Sequence, residues 1–403
     1  MATVHARIGW KNLTAAEYLP SGYPFLATPN IKNRDIDFSN VNYISRFRYD
    51  ESPDLKLSVG DVLLTKDGFT LGTVNIVRNL PRPATVNGSI AVLRSFGIDP
   101  TFLYHVISSS PIQAHIWSVK DGMDVLHLFQ RDIKRFPIPL PPLEEQRRIA
   151  NFLDTKTALI DRLALLLRAS LNLLESRIVG VIDDELAKVS DEAIALKYWA
   201  SMVDTEHKTA PHVPEGGFWI AGTSAVRGGD IAHHALYETD EASYVEWTRR
   251  RRPRPGDVLL SREAPVGEVA VYRQTDPKIA IGQRMVLITP DSRLLEPEYL
   301  MWCLLSTEVK RFYDLKTQGS LHPHLNMSDI GSIPIKRGVL QRQREAVQRI
   351  SSDIAATRRL RDSRTRMLGL LTERRQALIT AAVTGQFDVS TASGRNVTEG
   401  VSA

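Results

Sequence analysis

The chain has 403 residues, 43% hydrophobic and 24% charged, with 51 Lys and Arg against 46 Asp and Glu for a formal net charge of +5. That is room for two to three domains with cores of their own, an ordinary soluble composition, and only a mild bias toward an acidic partner. There is no uninterrupted apolar stretch of about 18 residues and no charged-then-apolar leader, which argues against membrane spanning and secretion and predicts a cytoplasmic protein.

Residues 1–142 carry short β-branched runs, Thr73-Val74-Asn75-Ile76-Val77 and Ile90-Ala91-Val92-Leu93, between turn residues. They read as strands. Asp99-Pro100 reads as a helix entry, with Asp99 as N-cap and Pro100 in the first turn. Pro137, Pro139, Pro141 and Pro142 then stop regular structure. From Leu143 to Val179 there is no Gly or Pro, and Ile149, Leu153, Ile160, Leu163, Leu167, Leu171 and Leu174 recur at spacings of three, four or seven. A helix of about forty residues, about 60 Å long, is expected there.

The second half restates the first. Gly60-Asp61-Val62-Leu63-Leu64 returns as Gly256-Asp257-Val258-Leu259-Leu260, an offset of 256 − 60 = 196. Asp132-Ile133 and Gln146-Arg147 return as Asp329-Ile330 and Gln343-Arg344, both offset by 197. One inserted residue is the only adjustment these anchors require. Glu296-Pro297 matches the helix entry at Asp99-Pro100, and the lone Cys303 lies in the apolar run after it, as a buried thiol would. Val347, Ile350, Ile354, Leu360, Met367, Leu371 and Leu378 form a second greasy stripe. Ten Arg against four acidic residues make Gln341–Gly385 net +6, while seven basic and eight acidic residues make Glu144–Lys188 net −1.

The expected fold is α+β: two globular, mixed α/β domains (1–142 and 189–340), two long helices (143–188 and 341–386) and a flexible tail (387–403). Each helix either lies across its own domain or pairs with the other. Pairing is favoured because both stripes are long and narrow and the helices carry opposite net charge. With pseudo-two-fold symmetry the pair runs antiparallel, as a coiled coil that acts as a spacer.

Pro139-Leu140-Pro141-Pro142-Leu143-Glu144-Glu145-Gln146-Arg147-Arg148-Ile149-Ala150, with Phe152-Leu153-Asp154 after it, resembles the conserved region of specificity subunits in type I restriction-modification systems. The ending Glu373-Arg374-Arg375-Gln376-Ala377-Leu378-Ile379-Thr380-Ala381-Ala382-Val383-Thr384-Gly385 resembles that family's C-terminal region. The likeness spans roughly residues 20 to 388, although Ile335–Arg344 lacks the double proline and the Glu before Gln. It implies two target recognition domains, each reading half of a split sequence in double-stranded DNA, with the helix pair setting the gap. It also implies two modification (methyltransferase) subunits and restriction/translocase subunits as partners. S-adenosylmethionine, ATP and Mg would belong to those partners, with no cofactor in this chain. Two readers on a rigid spacer demand half-sites at fixed separation.

The candidate DNA contacts are polar residues at strand exits and loops. Thr65 and Lys66 in one copy, and Ser261 and Arg262 in the other, offer hydroxyls and cations to phosphates or guanine edges. The alternative is an ordinary turn with Lys66–Asp67 and Arg262–Glu263 ion pairs. Arg249, Arg250, Arg251 and Arg252 form the densest basic run, a phosphate site or a solvated loop. Gln283 and Arg284, with Asn87 as counterpart, read a groove or cap strands. Gln318–Asn326, with His322 and His324, aligns with Lys120–His127; two His one residue apart fall short of a zinc site. No nucleotide-binding, methylation or hydrolase motif occurs, so no intrinsic catalysis is expected. A stand-alone two-reader regulator and a coiled-coil protein-binding scaffold remain as alternatives.

Overall fold

The computed structural model describes residues 2–6, 13–32, 34–122, 126–205 and 208–389. It divides into two compact units, Met1–Arg168 with Thr365–Ala403, and Ala169–Arg364. In the first unit Ala2–His5, Ile90–Ser95, Val62–Thr65 and Val74–Ile76 pair in that order, all antiparallel. The strand Val62–Thr65 is apolar throughout because both its faces are covered. Val62 and Leu64 join the core under helix Pro100–Ser108, while Leu63 joins Leu26 and Val86 on the other side. Leu26 and Val86 belong to a second, three-stranded sheet: Asn42–Ile44, Tyr23–Leu26, Thr85–Val86. An uninterrupted hydrophobic run is what a doubly covered strand requires.

The second unit has a four-stranded sheet in the order Ala200–Asp204, Met285–Pro290, Val258–Ser261, Val269–Val271 and a three-stranded one of Tyr237–Thr239, Phe218–Ala221, Ile279–Ile281. Here too Val258 and Leu260 face one core and Leu259 another. Matched register corrects the single-insertion expectation. Ile90 sits opposite Thr65, and Met285 opposite Ser261. The offset therefore drops from 196 to 195 across the intervening loop and reaches 197 only at the helix that follows.

The repeated motifs have structural work. Gly60 and Gly256 both adopt φ +93°, a left-handed turn that favours glycine. Asp61 accepts the Ser58 amide at 2.8 Å and pairs with Arg94, while Asp257 accepts the Arg254 amide at 2.8 Å and the Thr289 hydroxyl at 2.7 Å. Buried Gln146 takes the Asp99 amide at 2.9 Å and donates to Pro141 O, as Gln343 takes the Glu296 amide at 2.9 Å and donates to Gly338 O. Asp99 caps Pro100–Ser108 through the Phe102 amide as expected; Glu296 makes no such bond and holds Arg344 instead. Cys303 is buried, and burial pushes its thiol up to about 12.

His105, on Pro100–Ser108, is fully buried, and neither ring nitrogen has a hydrogen-bond partner. Burial pushes its imidazole from the ordinary 6.5 down to about 3. The unfolded chain takes up this proton below pH 6.5 and the folded chain does not until about pH 3. Stability from this group is therefore complete above pH 6.5 and is withdrawn on acidification, by about 1.4 kcal/mol per pH unit between the two values. His105→Leu is expected to flatten the acid limb of stability by about that slope, read from urea midpoints at pH 7, 6, 5 and 4. Equal slopes in both proteins would show that His105 does not carry the effect.

The long helices run Leu143–Val189 and Leu340–Val383, 47 and 44 residues, against the expected 143–188 and 341–386. None of the described helices is long and apolar enough to cross a membrane. Residues 143–168 and 365–383 belong to the first unit, 169–189 and 340–364 to the second. In the first unit Ile149, Leu153 and Ile160 share a core with Leu378, Ile379 and Ala382, and Arg375 pairs with Asp161 at 2.9 Å. In the second, Arg364 bonds Ser170 and Arg349 pairs with Glu185 at 3.6 Å. Fifteen residues forward on one helix match fifteen back on the other, so these segments run antiparallel.

Three stripe positions are corrected. Leu163, Leu360 and Met367 are 43, 50 and 50% exposed. The more covered position is the next residue in each case: Ala164, Arg361 and Leu368. Bulk misled the sequence reading, because the seam there takes a small residue, a long cation and a leucine whose hydrophobicity does not distinguish it from its neighbour. Leu167, Leu171, Leu174 and Leu371 are half-buried, while Ile350, Ile354 and Leu378 are buried. The tail does not begin at 387, since Phe387 packs on Phe152 with ring centroids 5.7 Å apart; residues 390–403 lie outside the described ones.

Candidate nucleic-acid interface

In the first unit, the exit of strand Val62–Thr65 meets the loop ending at His127. The Leu128 amide donates to Lys66 O at 2.8 Å, Gly68 N donates to Leu126 O at 2.8 Å, and Asp67 and His127 share an isolated bridge and a side-chain contact. The second unit repeats the clamp: the Leu325 amide donates to Arg262 O at 2.9 Å, and Glu263 bridges His324. Two loops distant in sequence thus form one surface in each unit. Met123–Val125 of the first loop lie outside the described residues.

Four candidates are withdrawn from solvent. Thr65 and Ser261 are fully buried; the Ser261 hydroxyl bonds Pro265 O and receives the Glu268 amide, and Thr65 Oγ1 has no partner. Lys66 is 7% exposed and pairs with Asp67 at 2.8 Å, the internal ion pair weighed from the sequence. Arg262 pairs with Asp204 at 2.8 Å, not with the adjacent Glu263. These groups sit below the surface because the edge strand and the second loop close over the strand exit. Asn87 accepts the Ser89 amide at 3.1 Å and its own amide donates to Leu26 O at 2.8 Å, a strand cap.

The remaining candidates stay at the surface. Arg284, at φ +70°, faces Glu263 at 3.7 Å, and its carbonyl accepts the Arg262 amide, so Arg262, Arg284 and His324 come together around Glu263. His322 and His324 are exposed, while Gln283 is half-buried with no side-chain bond that marks a role. Arg249, Arg250 and Arg252 are exposed; with Arg251 and Arg254 they line a cleft of about 450 Å³ after helix Glu241–Trp247. Arg250 donates to Asp204 O at 3.0 Å, and Arg251 pairs with buried Asp257 at 3.2 Å and is part of the turn's structure.

Sequence reasoning missed His127, the ring of Phe129 4.5 Å from it, and Arg131 stacked 4.5 Å over Phe129. The signal was present: the loop alignment places His127 opposite His324, 197 residues on. A cation over an aromatic face beside an imidazole is a chemistry suited to phosphates and bases.

The model of the type I restriction modification DNA specificity domain matches residues 10–169. A putative type I restriction enzyme MjaX specificity subunit of Methanocaldococcus jannaschii is 22% identical over 354 residues, 82% of this chain and 80% of that one. The type I restriction enzyme EcoBI specificity subunit of Escherichia coli is 21% identical over 71% of this chain and 65% of its own. A chain from a structural study of complex assembly and conformational transition in the type I R-M system superposes with a TM-score of 0.57 at 19% identity, covering 82% of this chain and 83% of that one, and shares the fold. Residues 10–169 thus match the type I restriction modification DNA specificity domain, and beyond them the chain, with two sheet units that each clamp a polar loop pair, is similar over most of its length to type I restriction enzyme specificity subunits.

Proposed function

We propose that each unit is a copy of one module and reads one half of a bipartite duplex target, while the two long helices pair along their length as an antiparallel coiled coil that sets the gap. The carrying observation is the spacing of the covered positions. On the first helix the covered positions include Ala150, Leu153, Thr157, Ile160, Ala164, Leu167, Leu171, Leu174 and Ile178. On the second they include Val347, Ile350, Ile354, Thr357, Arg361, Arg364, Leu368, Leu371, Arg375, Leu378 and Ala382. Along these positions steps of three and four alternate, as in a heptad seam. Arginines at seam positions meet Asp161 and Ser170, the kind of polar pairing that specifies register and orientation.

The reading divides the chain into recognition domains 1–142 and 189–340 joined by the helices. Adenine methyltransferase subunits dock on this frame, translocase-nuclease subunits join for restriction, and the chain itself carries no catalysis. The test is methylation mapping of genomic DNA from cells that express this chain with its partner subunits. The expected result is one split motif, methylated at adenine in each half and lost on deletion of this chain. A contiguous motif, or methylation that persists without the chain, would overturn it.

A further inference from the structure

The two most exposed large apolar side chains among the described residues are Phe69, 93% exposed, and Leu321, 95% exposed. One belongs to each unit, and each stands on the loop pair that the clamps hold together. Phe69 sits on a fixed pedestal. Leu71 N donates to Gly68 O at 3.1 Å, Gly72 N to Thr65 O at 3.0 Å, and Gly68 N to Leu126 O at 2.8 Å, while Leu71 is anchored in the core. Gly68 and Gly72, at φ +84° and +85°, let the chain turn sharply on both sides of the ring. Leu321 follows Gly319, at φ +80°, on a turn held by Ser320 N to Thr317 O and by Ser320 Oγ to His322 O at 2.9 Å.

A rigid turn that holds a large apolar group almost wholly in water is unfavourable unless the group meets an apolar surface elsewhere. The other side chains of each loop pair select that surface. Lys66–Asp67, His127 and the Arg131–Phe129 stack belong to the same loop pair as Phe69, and His322, His324 and the Arg284–Glu263 pair to that of Leu321. An apolar tip on a loop pair that carries cations and imidazoles fits flat base faces flanked by phosphates.

We propose that Phe69 and Leu321 are wedges that enter a base step of the half-site each unit reads and partly unstack it, so that easily opened steps are selected along with base edges. This rests on the DNA-recognition reading above. It adds a contribution to specificity through the deformability of the duplex.

The experiment uses the full chain with the subunits that co-purify with it and a pool of random duplexes, from which the retained sequences are selected. The selected duplex is then scanned with 2-aminopurine. The wild type is expected to raise fluorescence several-fold at one step in each half-site. Phe69→Ala should abolish the rise in one half only, Phe69→Trp should keep it, and Leu321→Ala should abolish it in the other half. Each alanine variant should lose on the order of tenfold in affinity, the worth of about one stacked base. Both side chains are exposed, so the variants should fold. Bound duplex with no fluorescence change in the wild type, or an undiminished rise in Phe69→Ala, overturns the wedge while leaving DNA recognition standing. So does loss of a co-purifying subunit from Phe69→Ala with unaltered fluorescence, which would make the ring a protein contact. Failure of the wild type to retain any duplex overturns DNA recognition itself.

Discussion

Insertion of four residues into each long helix, after Arg168 and after Arg364, is expected to lengthen the gap of the methylated motif by one or two base pairs and to leave both half-sequences unchanged. Four residues add about 6 Å of helix, against about 3.4 Å per base step. The two sites oppose one another in the antiparallel register set by Ser170 with Arg364 and Glu185 with Arg349, so the added turns face each other. Four residues also interrupt the heptads as a stutter, which a two-stranded coil absorbs by local unwinding. A seven-residue insertion at the same places keeps the seam and should lengthen the gap further, by about three base pairs at 1.5 Å per residue. The measurement is methylation mapping in cells carrying each variant with its partner subunits. Motifs with the original gap would reject the helices as a ruler, and altered half-sequences would place base-reading residues on them.

Periodicity and chain-breakers made the long helices legible, because a stretch without Gly or Pro and with a repeating apolar face has few other solutions. The strand Val62–Thr65 and the Asp99 cap were legible for the same local reason. Partnerships across the fold were not. Arg262 looks like a free cation beside an acid in sequence, yet its partner is Asp204, 58 residues away on the edge strand. Thr65 looks like a hydroxyl at a strand exit and is buried, because Leu128 closes over it by a bond to the next residue. The seam of the second helix was read one residue early at Leu360 and Met367 because apolar bulk outweighed period there, where the covered position is an arginine and a leucine. Polar residues thus carry the least positional information in one dimension, and the candidate contacts read from the sequence are all polar.

Replacement of Arg249, Arg250 and Arg252 together by Ser is expected to weaken retention of duplex DNA about a hundredfold at 0.15 M salt, with the selected consensus unchanged. Each phosphate contact releases condensed counterions and contributes about 0.9 to the slope of log affinity against log salt, so three contacts contribute about 2.7. Extrapolated from 1 M, where the release term vanishes, to 0.15 M, that slope is worth about two decades. The geometry supports phosphates over base edges for this turn. Arg249, Arg250 and Arg252 line a cleft of about 450 Å³ with Arg251 and Arg254, a broad cationic surface; Arg250 donates to Asp204 O at 3.0 Å, and Arg251 pairs with buried Asp257. Arg251 is therefore the internal contrast. Arg251→Ser should lower the unfolding midpoint, because it removes the cation paired with a carboxylate that is 3% exposed, and should leave the salt slope of the folded protein near the wild-type value. Anisotropy titrations from 0.05 to 0.5 M salt give the slopes, and selection from a random pool gives the consensus. A triple variant with the wild-type slope would make the run a solvated loop. A changed consensus would instead move these arginines from the phosphates to the bases, where a bidentate guanidinium discriminates guanine.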